Sequence, residues 1–449
     1  MLDKHKEIFK DTPGKCIVGQ AHVINLVPGA VPGRKTPYRI PIKLQPEVDK
    51  QIDDLLERGL ISPSNSPWAH PIVCVTRPNK PLRLCVNYID VNAHTISDKL
   101  PMPRIDELID KISKAHYITT LDCTSGYWQI PVDPASRDKT AFKTTKGLYE
   151  WNVLSFGLKN ASATFQRTVN TILQPHQDYA DSYIDDTSIY SFSFNQHMIH
   201  LDKVLSAFKN AGMTLKLSKC SFAKPSVKFV SHIIGSGKKA ADNEKIETIM
   251  SIQLPTTKPL LRSFNGLASY YRSYIPNLAN LLAPLSDLTK KNLPNKLVHT
   301  DATISSFNLI KEALCSTQIL RPPDYTKDFI IQCDASQYAI GACLAQLDDA
   351  GEEHPIEFSS CKLSDTQQRW STIEREAFAI IYALRKYDHI IYGQKITIYT
   401  DHNPLHYLIN SLPKSSKLTR WSLALQRYDI TIKHRAAKLN ANCDALSRL

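Results

Sequence analysis

The sequence contains no apolar run approaching the length of a membrane span or a signal-peptide core, and it opens on charged residues (Asp3, Lys4, His5, Lys6). Membrane insertion and secretion are therefore not expected. There is no CxxC pair among the ten cysteines (Cys16, Cys74, Cys85, Cys123, Cys220, Cys315, Cys333, Cys343, Cys361, Cys443). Most sit among apolar neighbours, as buried reduced thiols do, which points to an intracellular protein with no zinc site; cytoplasm and nucleus are not distinguished. Glycine is scarce at 15 residues and the 27 prolines are scattered, so no long stretch has the composition of a disordered tail. No internal repeat is present, which removes solenoid architectures.

What is there is length and positive charge. A chain of 449 residues exceeds one ordinary core, so two or more domains are expected. The net charge of +12 suits a polyanionic partner, although a merely basic surface would give the same figure. Half of the excess lies between His402 and Leu449, where Lys414, Lys417, Arg420, Arg427, Lys433, Arg435, Lys438 and Arg448 face only Asp429 and Asp444.

Apolar spacing sets the element order. Pro46 in a first turn, Val48, Ile52, Leu55 and Leu56 at helical spacing, and Gly59 at the stop predict a helix over 45–59. The run "PIVCVTRPNKPLRLCV" predicts a hairpin offering Arg77 and Lys80 at its turn, and Pro103 opens a helix carrying Ile105, Leu108, Ile109 and Ile112. Two β-prone runs, "HYITTLD" and "DSYIDDTSIY", flank a helical pattern with Phe165, Val169, Ile172 and Leu173, an α+β arrangement. From Asn243 to Lys291 the pattern is helical, with Leu260, Phe264, Leu267, Ala268 and Tyr271 on one face. A final module alternates strands ("FIIQC", "ITIYT") with a helix after Ser371 that aligns Ile373, Ala377, Ile380, Ile381 and Leu384; Ser371 and Glu374 have capping-box spacing.

Two sets of acids stand out. Asp122 with Asp185 and Asp186 forms one, at strand ends or turn tips; Asp334, Glu376, Asp401 and Asp444, from strand, helix, strand and a final helix, form the other. Carboxylates in such sets hold the divalent metals used in nucleotidyl transfer and phosphodiester hydrolysis. Any one of them alone reads as a solvated surface group.

The words around the first set resolve that ambiguity. "YITTLDCTSGYWQIPV", "SFGLKNASATFQR" and "YIDD", in this order and spacing, resemble the core of retroelement reverse transcriptases. "PYRIPIKLQPEVDKQIDDLLERGLISPSNSPWAHPIVCV", "LPMPRIDELIDKI" and "LRSFNGLASYYRSYIPNLANLLAPL" look like gypsy-type LTR retrotransposon Pol polyprotein, and together the matches cover nearly the whole chain. The resemblance implies a right-hand polymerase (fingers, palm, helical thumb) followed by an RNase H-like α/β domain. The expected divisions are an N-terminal extension to residue 40, fingers and palm at 41–235, thumb or connection at 236–325 and RNase H at 326–449.

By the same resemblance Asp122 and Asp185 are metal ligands and Asp186 a supporting carboxylate. Tyr127 is the bulky residue that selects deoxynucleotides, and Lys80, Arg83, Gly157 and Gln166 face nucleotide or template. Asp334, Glu376, Asp401 and Asp444 hold metal in the RNase H module, where His434 is a loop histidine assisting proton transfer or product release. Two Mg²⁺ or Mn²⁺ ions per site, an RNA template, a DNA primer, deoxynucleoside triphosphates and an RNA–DNA hybrid are the implied cofactors and partners. The sequence departs from the family at Asn87 and Ile89, where Asp and Arg are common, at Leu82 for Trp, at Ser162 for Pro, and at Ala436 and Ala437 for Pro-Gly. It has no protease-like Asp-Ser/Thr-Gly, zinc knuckle or integrase His/Cys signature, so a piece of a longer polyprotein is expected. The alternative is a catalytically inactive retroelement remnant that binds nucleic acid.

Overall fold

The computed structural model describes the chain except residues 34–37, 78–79, 316–318, 401–415 and 436–449, together with the side chains of Arg77, Lys80 and Ser416. Two compact units result, Met1–Val230 and Ser231–Leu449.

In the first unit the helix Gln45–Glu57 buries Val48, Ile52 and Leu55, and Gly59 ends it at φ +66°, a conformation that costs other residues a Cβ clash. A five-stranded sheet, in the order Ile61–Pro63, Leu148–Trp151, Phe142–Lys143, His70–Arg77, Lys80–Val86, forms the fingers. A four-stranded sheet, in the order Ala180–Tyr183, Asp186–Ser191, Tyr117–Asp122, Ser221–Lys224, forms the palm. The helices Ala161–Leu173 and Phe194–Asn210 contribute Phe165, Val169, Val204 and Phe208 to the unit's core. Ile8, Cys16 and Ile24 join the same core, so the N-terminal residues are built into this unit.

Two buried histidines make this unit acid-sensitive. His22 Nδ1 lies 2.8 Å from Thr164 Oγ1, and His197 Nε2 lies 2.7 Å from Thr119 Oγ1. Burial pushes each imidazole down to about 4, with a neighbouring His200 adding to the effect at His197 and Asp98 opposing it at His22. The unfolded chain, titrating near 6.5, then binds protons that the folded unit refuses. Their contribution is complete above about pH 6.5 and is lost as pH falls toward 4, on the order of a few kcal/mol in total. Urea midpoints of the first unit should fall between about pH 7 and about pH 5; a flat profile would contradict neutral burial.

In the second unit a five-stranded mixed sheet runs in the order Glu353–Lys362, Ala339–Leu347, Phe329–Ala335, Lys395–Thr400, Asp429–His434, with the first three antiparallel and the last two parallel to the central strand. Strand parity explains its uninterrupted apolar strands. Phe329, Ile331 and Cys333 pack with the helix Thr372–Ile391, whereas Ile330, Cys343, Ala345 and Phe358 pack with Leu261, Phe264, Leu278 and Leu285 of the helices Lys258–Tyr270 and Leu278–Asp287. A sheet covered on both faces needs no polar side. The helical segment and the sheet thus share one core instead of forming two separate ones.

Helix faces differ from the sequence expectation at their edges. Leu260, Leu267 and Ile373 are exposed, and the buried stripe of Lys258–Tyr270 runs through Leu261, Phe264 and Ala268. Both components of the Ser371–Glu374 capping box are formed. Among the described residues no helix is long and apolar enough to cross a membrane.

Candidate active sites

Antiparallel pairing of Tyr117–Asp122 with Asp186–Ser191 sets Asp122 directly opposite Asp186. Asp185 occupies the two-residue turn between Ala180–Tyr183 and Asp186–Ser191. Three carboxylates therefore meet at one end of the palm sheet. Asp185 and Asp186 reach solvent, yet the atoms packed around them strip part of their hydration. That desolvation, then repulsion from Asp122 and Asp186, raises Asp185 to about 6, and desolvation followed by Asp122 raises Asp186. The opposing cation is Lys219, whose Nζ is 3.2 Å from Asp122 Oδ2. Carboxylates that resist ionising together, with a lysine ammonium drawn onto one of them, fit a site for divalent cations.

The turn that carries Asp185 is strained and clamped. Two-residue hairpin turns favour positive φ at their first central position, where Gly or Asn is usual; here it is Ile184 at φ +53°. Its N–H donates to Gln166 Oε1 at 2.6 Å. The Gln166 amide nitrogen donates to Ser182 O (3.1 Å), Ser182 Oγ (3.0 Å) and Asn170 Oδ1 (2.8 Å). Gln166 is 0% exposed, so its amide holds the acid turn, and the nucleotide-facing position expected of it is not where its polar atoms lie.

Beside the acids is an aromatic platform. Tyr127 stacks on Phe156 with centroids 5.0 Å apart, and its hydroxyl is 2.8 Å from Ser162 Oγ. Burial, then the charge of Asp185, raises the Tyr127 phenol, which places it within electrostatic reach of that carboxylate. The exposed Arg83 guanidinium lies 5.5 Å above the Phe156 ring. Phe156 was missed in the sequence because an aromatic in "LSFGL" reads as core; it is 37% exposed. Gly157 follows at φ +92°, and its carbonyl accepts from Asn92 Nδ2 at 2.8 Å. Lys80 opens the return strand of the hairpin; its side chain is outside the described set. Asn87, one of the departures, accepts the Ile89 N–H at 3.1 Å in an Asx turn that leads into the short helix Ile89–His94.

In the second unit Asp334 lies near the end of the central strand, opposite Gly341, and Glu376, 4% exposed, sits one turn before Ile380 on the helix over Cys333. The buried Cys333 thiol is pushed well up by desolvation, then by Glu376 and Asp334, so both carboxylates act on one point. Asp401 and Asp444 lie outside the described residues, as do Ala436 and Ala437. His434 was expected in a loop; it is the last residue of the strand Asp429–His434, opposite Thr400, with its side chain exposed.

A separate donor cluster lies on the connection after Ala339–Leu347. Asp348, Glu352 and His354 bring ligand atoms within 4.8 Å of one another, a set that fits one divalent ion. The sequence reading had not singled these residues out, for want of a recognisable spacing. Asp348 also organises the connection: it accepts the Ala350 and Glu352 N–H groups at 2.9 Å and pairs with His354 at 2.7 Å. The Glu352 N–H and then His354 hold its carboxyl down at about 2. The basic C-terminal stretch is partly committed within the fold, with Lys417 on Glu374, Arg427 on Asp388 and Arg435 on Glu353.

Comparison with known proteins follows this division. Residues 76–234 match the reverse transcriptase (RNA-dependent DNA polymerase) family, and residues 324–428 match the RNase H-like domain found in reverse transcriptase. The chain is 37% identical over 428 residues to the retrovirus-related Pol polyprotein from transposon opus of Drosophila melanogaster, covering 92% of this chain and 43% of that protein. It is 34% identical to the corresponding polyprotein from transposon gypsy of the same species, covering 89% of this chain and 40% of the relative. The chain thus spans less than half the length of these relatives. In fold it is similar to the foamy viral protease-reverse transcriptase in complex with double-stranded DNA, with a TM-score of 0.84 at 23% identity over 97% of this chain and 92% of that one. The chain accordingly matches the reverse transcriptase family in its first unit and the RNase H-like domain found in reverse transcriptase in its second, within a stretch similar to part of retrovirus-related Pol polyproteins.

Proposed function

We propose that the first unit is an RNA-directed DNA polymerase and that the second hydrolyses RNA paired with DNA. The observation that carries the polymerase reading is the convergence of Asp122, Asp185 and Asp186, two of them with raised affinity for protons and a lysine as their counter-charge. Asp122 and Asp185 would hold Mg²⁺ or Mn²⁺, two ions per site, with Asp186 in support; Asp334, Glu376, Asp401 and Asp444 would do so in the second unit. Bound there, the ions would acidify the attacking hydroxyl or water and screen charge on the leaving oxygen.

The chain's own groups would then do the positioning. Lys219 moves off Asp122 as that carboxylate takes up its ligand role. Arg83, with Lys80, meets the triphosphate, and the Arg83 guanidinium over Phe156 keeps the cation oriented. The Tyr127 ring, fixed by Phe156 and by the Ser162 hydroxyl, walls the sugar so that a ribose 2′-hydroxyl collides with it. The primer 3′-oxygen bonds to the α-phosphorus and the bond to the pyrophosphate oxygen breaks. His434, exposed at its strand end, is proposed to assist proton transfer or product release at the second site. Hybrid binding through phosphates and duplex shape should weaken steeply with salt.

Primer extension on a labelled RNA template in Mg²⁺ or Mn²⁺ tests both activities in one tube. Glu376→Gln should lower template cleavage about 10³-fold, the order expected when one carboxylate of such a site is lost, while extension stays within about twofold. Loss of both activities together would argue against two independent sites. Salt-sensitive hybrid binding with neither activity in the wild-type chain would leave an inactive, nucleic-acid-binding remnant.

A further inference from the structure

The first unit holds a cavity of about 460 Å³ between the helix Gln45–Glu57, the strand Lys80–Val86 and the aromatic side chains behind them. That volume lies within the range of small-molecule sites. Its walls include Leu55, Leu82, Leu84, Trp128, Trp151 and Phe156. Gln51 fixes one wall to another by donating to Leu82 O at 2.9 Å, so the space is framed by a helix bonded to the strand it faces. Trp128 and Trp151 lie 5.7 Å apart at 32°, and Trp128 meets Phe156 edge-on at 6.2 Å. These are surfaces on which a flat ring system packs.

Polar groups in the wall point to the ligand. The indole Nε1 atoms of Trp128 and Trp151 are both buried without a hydrogen-bond partner. Trp151 acts on the Tyr88 hydroxyl and Trp128 packs edge-on to Phe156 at the platform side, so the Trp128 donor is the one placed to couple a ligand to that platform. A buried donor without an acceptor is an unmade bond that an entering oxygen can complete. Charge is disfavoured as the ligand's attachment, because Asp54 already pairs with Arg58 at 2.8 Å and Arg83 lies over Phe156. Arg83 and Phe156 belong to both the cavity wall and the platform beside the acids.

We propose that this cavity binds a neutral, flat aromatic molecule bearing one carbonyl-type acceptor, seated on the Trp128 N–H. Occupancy would move the shared Arg83–Phe156 wall, and so alter nucleotide use without competing for the acids; this consequence, unlike the binding itself, rests on the polymerase reading.

Equilibrium dialysis of the full chain against fluorenone tests the binding. The expected result is saturable uptake of one molecule per chain, with fluorene, which lacks the oxygen, about tenfold weaker, the size of one neutral hydrogen bond. Trp128→Phe keeps a ring and removes the donor, so it should bring the two ligands to within about twofold of each other. Leu82→Trp puts an indole into the space and should abolish uptake. Circular dichroism checks that both variants fold. Unsaturable uptake, equal affinity for fluorenone and fluorene, or unchanged binding by folded Leu82→Trp would overturn the site. In primer extension fluorenone should lower kcat several-fold more than it raises the nucleotide KM. Saturable binding with full extension would overturn the coupling to the platform, and a chain that does not extend primers leaves the dialysis result standing by itself.

Discussion

Asp185→Asn should reduce primer extension by about 10³-fold or more while the melting temperature of the first unit holds or rises. The two outcomes come from one electrostatic fact. Asp185 is raised to about 6 because its charged form is partly desolvated and sits beside Asp122 and Asp186, with Lys219 as the opposing cation. Removing its charge relieves repulsion in the metal-free protein and cannot cost it a structural ion pair, since the lysine sits on Asp122. The same substitution takes a charged donor from the cation site. A site residue whose loss leaves the fold unharmed is tuned for a ligand, whereas an acid in a structural salt bridge would show the reverse, with stability falling alongside activity. Calorimetry and single-turnover extension on the same preparation separate these cases. A marked drop in melting temperature would show that Asp185 is a structural group and remove the main support for the polymerase site. Template cleavage by the second unit should persist, since Asp334 and Glu376 lie in the other compact unit.

The acids were legible in the sequence because their neighbours form long, specific words, and the strands that carry them were legible because β-branched and aromatic residues flank them. Their mutual placement was not. The register that puts Asp122 opposite Asp186 joins strands separated by a helix and several turns, and nothing local encodes it. Phe156 was hidden for the opposite reason: composition assigns an aromatic to the core, and only the tertiary arrangement exposes it under Arg83. Helix periodicity located the stripes of the second unit but not their margins, so Leu260, Leu267 and Ile373 were placed on the buried side one position too generously. The paired faces of the mixed sheet are visible only once Ile330 and Ile331 are seen packing in different cores. Gln166 is the clearest instance of a residue whose presence in a motif says little about its work, because a buried glutamine and a ligand-facing glutamine look alike in one dimension.

Gln166→Met should lower kcat for extension about 10²-fold while leaving hybrid affinity within about threefold, since displacing a reacting group by about an ångström has that order of cost. Methionine nearly keeps the side chain's volume, so the effect isolates the hydrogen bonds. Two consequences compound. The Ile184 N–H loses the oxygen that receives it at 2.6 Å, and Ser182 loses the amide that ties the incoming strand Ala180–Tyr183 to the helix Ala161–Leu173. Left unclamped, Ile184 is free to relax from φ +53°, a region that costs a β-branched residue roughly 1–2 kcal/mol. Relaxation there rotates the next residue, Asp185. Ile184→Gly supplies the compensating change, because glycine holds positive φ without strain and needs no clamp to stay there. The double variant should therefore recover most of the activity lost by Gln166→Met, roughly tenfold or more, through a coupling that two independent defects would not show. Activity that falls equally in the presence and absence of Ile184→Gly would mean that Gln166 acts elsewhere than on the turn, and an unaffected Gln166→Met enzyme would mean that the strand pairing of Asp122 and Asp186 alone holds the carboxylates in place.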